Sequence, residues 1–180
     1  MYMPNNPFEL VPNAEAVANH TKQLHKDPPA PSTFSGRYTF ILWGDKFEEE
    51  TASIFAAELR RVGICVKVIG ITGSALKGRY GLSLTPDLTL SQALPLAPEA
   101  ACVIVPCSMA KLRQLQNDPR VGQFIAGAAA NQAQLVIHHD SWLEPTFTRS
   151  FAPPDCTPCA YPESAHLVSF ARELAGTLMV

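Results

Sequence analysis

The sequence predicts an α/β protein, a three-layer sandwich with a mostly parallel central sheet, helices on both faces and an N-terminal arm. Three observations carry this expectation. The short apolar runs "YTFILW", "ICVKVIGI", "ACVIVP" and "AQLVIHH" read as strands buried on both faces. Amphipathic helical segments lie between them, the alternation that builds a parallel sheet. At 180 residues, 47% of them hydrophobic, the chain is the size of one domain with one sizeable core.

Residues 1–36 carry one short helical pattern, "AEAVANHTKQLHK", followed by the helix- and strand-breaking "DPPAPSTFSG". They read as an arm and linker, and residues 37–180 as the α/β domain. The first strand, 38–43, stops at Gly44. In 47–63, Ala52, Phe55, Ala56, Leu59 and Val62 recur at helical spacing; acids crowd the first turn, Arg60 and Arg61 fill the last, and Gly63 ends it. The strand at 64–71 follows directly, so the three form a right-handed βαβ unit.

The glycines and Pro86-Asp87 of "TGSALKGRYGLSLTPDLTL" (72–90) suit a hairpin of short strands rather than a helix. A third core strand spans 101–106. The segment 108–132 supplies one or two helices, with Asp118-Pro119 as the break and restart. A fourth core strand spans 133–139, a Pro-rich loop 143–162, and a closing helix 161–180 with Leu167, Phe170, Leu174 and Leu178 on its inner stripe.

A net charge of −2 and a pI near 6.2 give no basic patch for nucleic acid or an anionic membrane. No apolar run approaches the roughly 20 residues that span a bilayer, and the N-terminus lacks a signal pattern. A soluble cytoplasmic chain is expected. The five cysteines are scattered, so reduced thiols are expected, with Cys65 and Cys102 inside apolar strands as core residues.

Ligands of open α/β sheets sit beyond the carboxyl ends of the strands, where strand order reverses. Four strand ends therefore matter: Trp43-Gly44, the turn after Ile71, Pro106-Cys107-Ser108, and His138 to Trp142. The last two carry the polar chemistry.

The strand "FILWG", the helix "FEEETASIFAAELRRVGICVKVIG", the glycine-rich segment ending "TPDLTL", the strand "CVIVPCS" and the strand "QLVIHHDSW" together resemble the ThiJ/PfpI family, the flavodoxin-like branch of the glutamine-amidotransferase-like proteins. The resemblance covers about residues 37–142, and the closing helix is similar to that family's last. It implies a flavodoxin-like fold and pairing into a homodimer near the pocket. It also implies a cysteine on a strained strand-to-helix turn, a helix glutamate beside it, and backbone N–H groups forming an oxyanion hole.

This sequence departs at each of those positions. Thr51 stands where the family has its glutamate, with Glu50 about 100° away round the helix. Cys107 and Ser108 replace two glycines, and strand register puts Asp140 at the elbow, between His139 and Ser141. The resemblance therefore implies a catalytically degenerate protein, with a pocket formed by Trp43, Gly44, Glu50, Thr51, Cys107, Ser108, His139, Asp140, Ser141 and Trp142. Such a pocket would bind a small molecule or a protein partner.

The rival is a hydrolase, amidase or glyoxalase-like enzyme with Cys107 as nucleophile, His139 as base and Asp140 orienting it. Strand alternation allows only one of His138 and His139 to face the pocket. In the bland reading, Asp140 or Ser141 merely caps the next segment. Cys156 and Cys159 form a CxxC that suggests redox or metal regulation, but no second ligand pair accompanies it. The acids at 48–50 are explained by the helix dipole. No glycine-rich phosphate loop is present, and no cofactor is expected.

Overall fold

The computed structural model of the chain describes residues 37–73, 76–140, 151–153, 156 and 158–179. The expected arm over 1–36, together with Ser141 and Trp142, lies outside the described residues.

Among the described residues, six strands form one parallel sheet. They are β1 Tyr38–Trp43, β2 Val66–Gly70, β3 Leu88–Thr89, β4 Ala100–Val105, β5 Gln134–His138 and β6 Cys159–Tyr161, in the order β3-β2-β1-β4-β5-β6. The α-helices given by the described residues include α1 Glu49–Arg61, α2 Leu90–Ala93, α3 Met109–Leu115, α4 Pro119–Ala129 and α5 Ser164–Leu178. Phe40, Ile41, Leu42 and Trp43 of β1 are each 0% exposed. Successive strand residues face opposite sides, so both faces of the central strand are covered.

From β1 the chain crosses to β2 in one direction; from β4 it crosses to β5 in the other. Right-handed crossovers then put α1 and the α3–α4 connection on opposite faces. Helix α5 packs on α1, while α4 packs on β4 and on the tight helical turn Leu94–Glu99. Strand order reverses between β1 and β4, so the crevice opens beyond Trp43 and Val105. The Glu48 N–H donates to the Pro106 carbonyl at 2.8 Å, joining the two strand ends.

The first helix forms as its sequence predicts. Thr51, Ala52, Phe55 and Leu59 make its buried stripe, Glu49 and Glu50 lie in the first turn, and Arg60 and Arg61 in the last. Gly63, at φ 91°, closes it: its N–H donates to the Arg60 carbonyl at 3.0 Å, and that of Ile64 to Leu59 at 3.1 Å. The break between α3 and α4 falls at Asp118, which caps the Arg120 N–H with Pro119 in the first turn of α4.

Three expectations are corrected. No hairpin forms among the described residues of 72–90. Leu88–Thr89 pairs in parallel with β2, latched by the Asp87 carboxylate on the Val68 N–H at 2.7 Å. The glycine-rich stretch before it satisfies its backbone elsewhere: Arg79 N–H on the Phe47 carbonyl, Tyr80 and Leu82 N–H on the Glu49 carboxylate. Second, Cys65 is exposed because β2 begins only at Val66. Third, the Pro-rich loop contains β6, which pairs Tyr161 with His138 of β5.

No helix among the described residues is long and apolar enough to cross a membrane.

Candidate functional site

A cleft of about 250 Å³ opens where α1 and α5 begin. Glu48, Glu50 and Thr51 line it from α1, and Glu163, Ser164 and Ala165 from the start of α5. Arg79 and Tyr80 enter from the glycine-rich loop, and His138, Tyr161 and Pro162 from the β5 and β6 ends.

Glu48 is the hub. Its Oε2 accepts from the Tyr161 hydroxyl at 3.0 Å and from Thr51 Oγ1 at 3.2 Å. Thr51 lies one turn along α1, so the residue that stands in for the family glutamate shares a face with a glutamate after all. Burial pushes the Tyr161 phenol up, and the Glu48 carboxylate adds to this, so Tyr161 stays a hydroxyl donor. Its ring packs edge-on against Phe55 at 5.8 Å and against His138 at 5.2 Å.

Glu49 is 2% exposed and holds the facing wall. Its Oε1 accepts from the Tyr80 N–H at 2.7 Å and the Leu82 N–H at 3.4 Å. Burial opposes its ionisation, but backbone N–H groups of Glu49, Tyr80, Leu82 and Arg79 outweigh burial and hold its carboxyl below the ordinary 4.5. These acids do more than complement a helix dipole.

Cys107 is 1% exposed at the end of β4. Burial pushes its thiol well above the ordinary value, the Glu48 carboxylate pushes it further, and Lys111 offsets this only in part. An activated cysteine needs the reverse. Iodoacetamide labelling of the native protein should therefore modify exposed Cys65 first and Cys107 and Cys102 last, as read by peptide mass spectrometry. Rapid modification of Cys107 would contradict the sealed-thiol geometry.

His139 and Asp140 do meet, with Nε2 and Oδ1 3.1 Å apart. Of the two histidines only His138 lines the cleft; the strand stops there and the chain turns, so His139 comes beside it without entering the cleft. Their rings lie 4.5 Å apart. Asp140 N–H donates to His138 Nδ1 at 3.3 Å. The non-glycine residues with positive φ among those described are Lys46 and Gln132, so neither His139 nor Asp140 carries the strained elbow conformation.

The other expected residues scatter. Trp43 is sealed in the core against Phe47, and Gly44 lines a second cavity of about 190 Å³. A Cβ on Gly44 would meet the Phe47 ring at 2.7 Å, so only glycine fits. Ser108 is the exposed residue before α3. Cys156 and Cys159 are free, half-buried thiols. Sequence reasoning missed Glu48, Arg79, Tyr80, His138, Tyr161 and Glu163 as lining residues.

No family model matches this chain, and no curated protein matches it. Solved structures do. A DJ-1 superfamily protein from Salmonella typhimurium superposes with a TM-score of 0.64 at 18% identity, over 79% of this chain and 90% of its own. DJ-1beta of Drosophila melanogaster gives 0.62 at 17%, over 80% and 91%. A ThiJ/PfpI domain protein from Brachyspira murdochii gives 0.59 at 14%, over 79% and 96%. The reversed strand order, the crevice at the β1 and β4 ends and these superpositions agree: this chain has the fold of the DJ-1/ThiJ/PfpI superfamily.

Proposed function

We propose that this protein is a binding protein rather than a cysteine enzyme, and that its cleft takes a small organic cation such as an amine. The observation that carries this is the lining: Glu48, Glu50 and Glu163 against a single guanidinium, Arg79. The two helix N-termini at the cleft add about half a positive charge each. Three negative charges against about two positive leave the cleft net negative. Glu48 is already oriented by Tyr161 and Thr51, so a bound ammonium would meet a fixed carboxylate rather than a mobile one.

The degenerate reading draws support from the sealed Cys107 and from the unstrained turn at His139 and Asp140. The rival enzyme would need a thiolate that burial and Glu48 both oppose. We extend the proposal to a homodimer, which sedimentation of the full chain would test.

The test of the cleft is a thermal-shift and calorimetric comparison of simple amines, putrescine and ethanolamine, with carboxylates of equal size. Amines should raise the melting temperature in a concentration-dependent way, and Glu48→Gln should weaken them about tenfold or more. Equal binding of carboxylates, or amine binding indifferent to Glu48→Gln, would refute the reading.

A further inference from the structure

We propose that His138, His139 and Asp140 form a binding site for a divalent first-row transition-metal ion of the zinc class. One donor atom from each residue lies within 4.8 Å of the others, forming a cluster of metal-ligating groups among the described residues. His138 Nδ1 is 3.4 Å from Asp140 Oδ2, and His139 Nε2 is 3.1 Å from Asp140 Oδ1. Two ligands about 2.1 Å from one tetrahedral zinc stand about 3.4 Å apart. Each nitrogen–oxygen pair taken singly sits near that edge length, the two ending on different oxygens of the Asp140 carboxylate, so a small turn of the carboxylate or of one ring would bring one atom from each residue onto an ion.

The arrangement follows from where β5 stops. Along a strand, consecutive histidines would project to opposite faces. The chain turns after His138, so both rings come to one end of the sheet with the Asp140 carboxylate between their nitrogens. His138 is held there, its side chain 15% exposed and Tyr161 packed edge-on against its ring. His139 and Asp140 are open to solvent, at 41% and 52%, which gives an ion its entry path.

The Asp140 N–H donates to His138 Nδ1 at 3.3 Å, so that nitrogen carries no proton; its one lone pair is taken by this long bond, which an ion bound there would displace. The nitrogen lies against a carboxylate oxygen, so two acceptors face each other across 3.4 Å. A proton on His139 Nε2 would satisfy only the other pair. One ion satisfies all three groups. His139 Nδ1, the far nitrogen, is buried and has no hydrogen-bond partner among the described residues.

Two imidazoles and one carboxylate favour zinc, cobalt, nickel or copper over magnesium or calcium, which prefer oxygen donors. Three protein ligands leave at least one position for water or another small ligand, unlike the closed four-ligand structural sites. Because His138 also lines the carboxylate cleft, the ion would lie at its rim. Neither Cys156 nor Cys159 belongs to the cluster.

The full chain, stripped with a chelator and dialysed, is titrated with zinc by calorimetry and with cobalt by visible absorption. Saturation at about one ion per chain is expected, with cobalt ligand-field bands but no thiolate charge-transfer band. His139→Ala and Asp140→Asn should each weaken zinc at least tenfold, a loss at the level expected for groups that hold a metal. Both positions are half exposed, and circular dichroism of the metal-free variants should match the parent. The double variant Cys156→Ser/Cys159→Ser should bind as the parent does.

As a second readout, zinc should raise the melting temperature of the parent but not of Asp140→Asn. The site is overturned by absence of saturable binding, by unchanged affinity in both His139→Ala and Asp140→Asn, or by loss confined to the cysteine variant. Glu48→Gln should leave zinc affinity intact while weakening amines, so failure of the metal site and failure of the cleft reading are distinguishable.

Discussion

Phe55→Ala should lower the unfolding free energy by about 3–5 kcal/mol, the cost of a large cavity in a closely packed core. Phe55 is fully buried on the inner stripe of α1. Its ring meets Tyr161 edge-on at 5.8 Å and Phe170 of α5 at 6.1 Å, so truncation also removes two aromatic contacts worth about 0.5–1.5 kcal/mol each. Neighbours cannot close the gap cheaply, because Leu59, Leu167 and Ala171 around the α1–α5 contact are themselves 0–1% exposed. Against a typical total of about 5–15 kcal/mol, such a loss decides whether the domain folds at all.

The effect also reaches the cleft. Tyr161 is fixed by Phe55 on one side and by Glu48 on the other, so an emptied Phe55 site frees the ring that orients the carboxylate. Phe55→Leu, which refills most of the volume but still loses both ring contacts, should cost less, about 1–3 kcal/mol. Urea unfolding checks both variants: the midpoint should fall with little change in slope. A loss below about 1 kcal/mol for Phe55→Ala would mean that α1 and α5 do not pack as described.

What the sequence reveals of this fold depends on how local each signal is. Strands β1, β2, β4 and β5 are legible because strands covered on both faces are apolar throughout. Helix α1 is legible from its 3.6-residue stripe and its closing glycine. The α3–α4 break is legible from Asp118-Pro119. Strands β3 and β6 contain two and three residues, too few for any periodicity to register. Helix α2 did leave a signal, the capping box Thr89-x-x-Gln92, in a segment read as the end of a hairpin.

The cleft is less legible than the fold because its contacts are long-range. Glu48 and Tyr161 are 113 residues apart, and Glu49 and Tyr80 are 31 apart. Nothing near Glu48 distinguishes a carboxylate with distant partners from one that only complements a helix dipole. Tyr161 lies between prolines in a loop-like stretch, and its value comes from pairing with His138 in the sheet. That a single histidine faces the cleft was legible from alternation, but it is His138 rather than His139; that their rings meet was not, because the strand ends between them.

Glu49→Ala should cost about 2–4 kcal/mol, chiefly by stranding backbone donors rather than by losing packing. The Tyr80 N–H makes a strong charge-assisted bond at 2.7 Å and the Leu82 N–H a long one at 3.4 Å. Bonds to charged groups contribute about 1.5–3 kcal/mol each when well formed, and a buried donor left without a partner loses a comparable amount. Glu49 is admitted to this position by Gly78: a Cβ there would stand 2.3 Å from Glu49 Oε2. Gly78→Ala should therefore reproduce much of the same loss by forcing the carboxylate out, although the two positions lie in different elements.

The pH dependence separates Glu49 from a purely steric part. Its folded-state pKa is depressed below the ordinary 4.5, so its contribution is fully present above about 4.5 and fades as pH falls through the lower folded-state value. Glu49→Gln keeps an amide oxygen that can accept from Tyr80 but cannot titrate. It should cost less than Glu49→Ala at neutral pH, and the gap between Glu49→Gln and the parent should narrow as the solution is acidified below 4.5. Denaturant unfolding at a series of pH values reads this directly. A gap that stays constant through that range would mean that Glu49 holds the Arg79–Tyr80 wall by shape alone, without its charge.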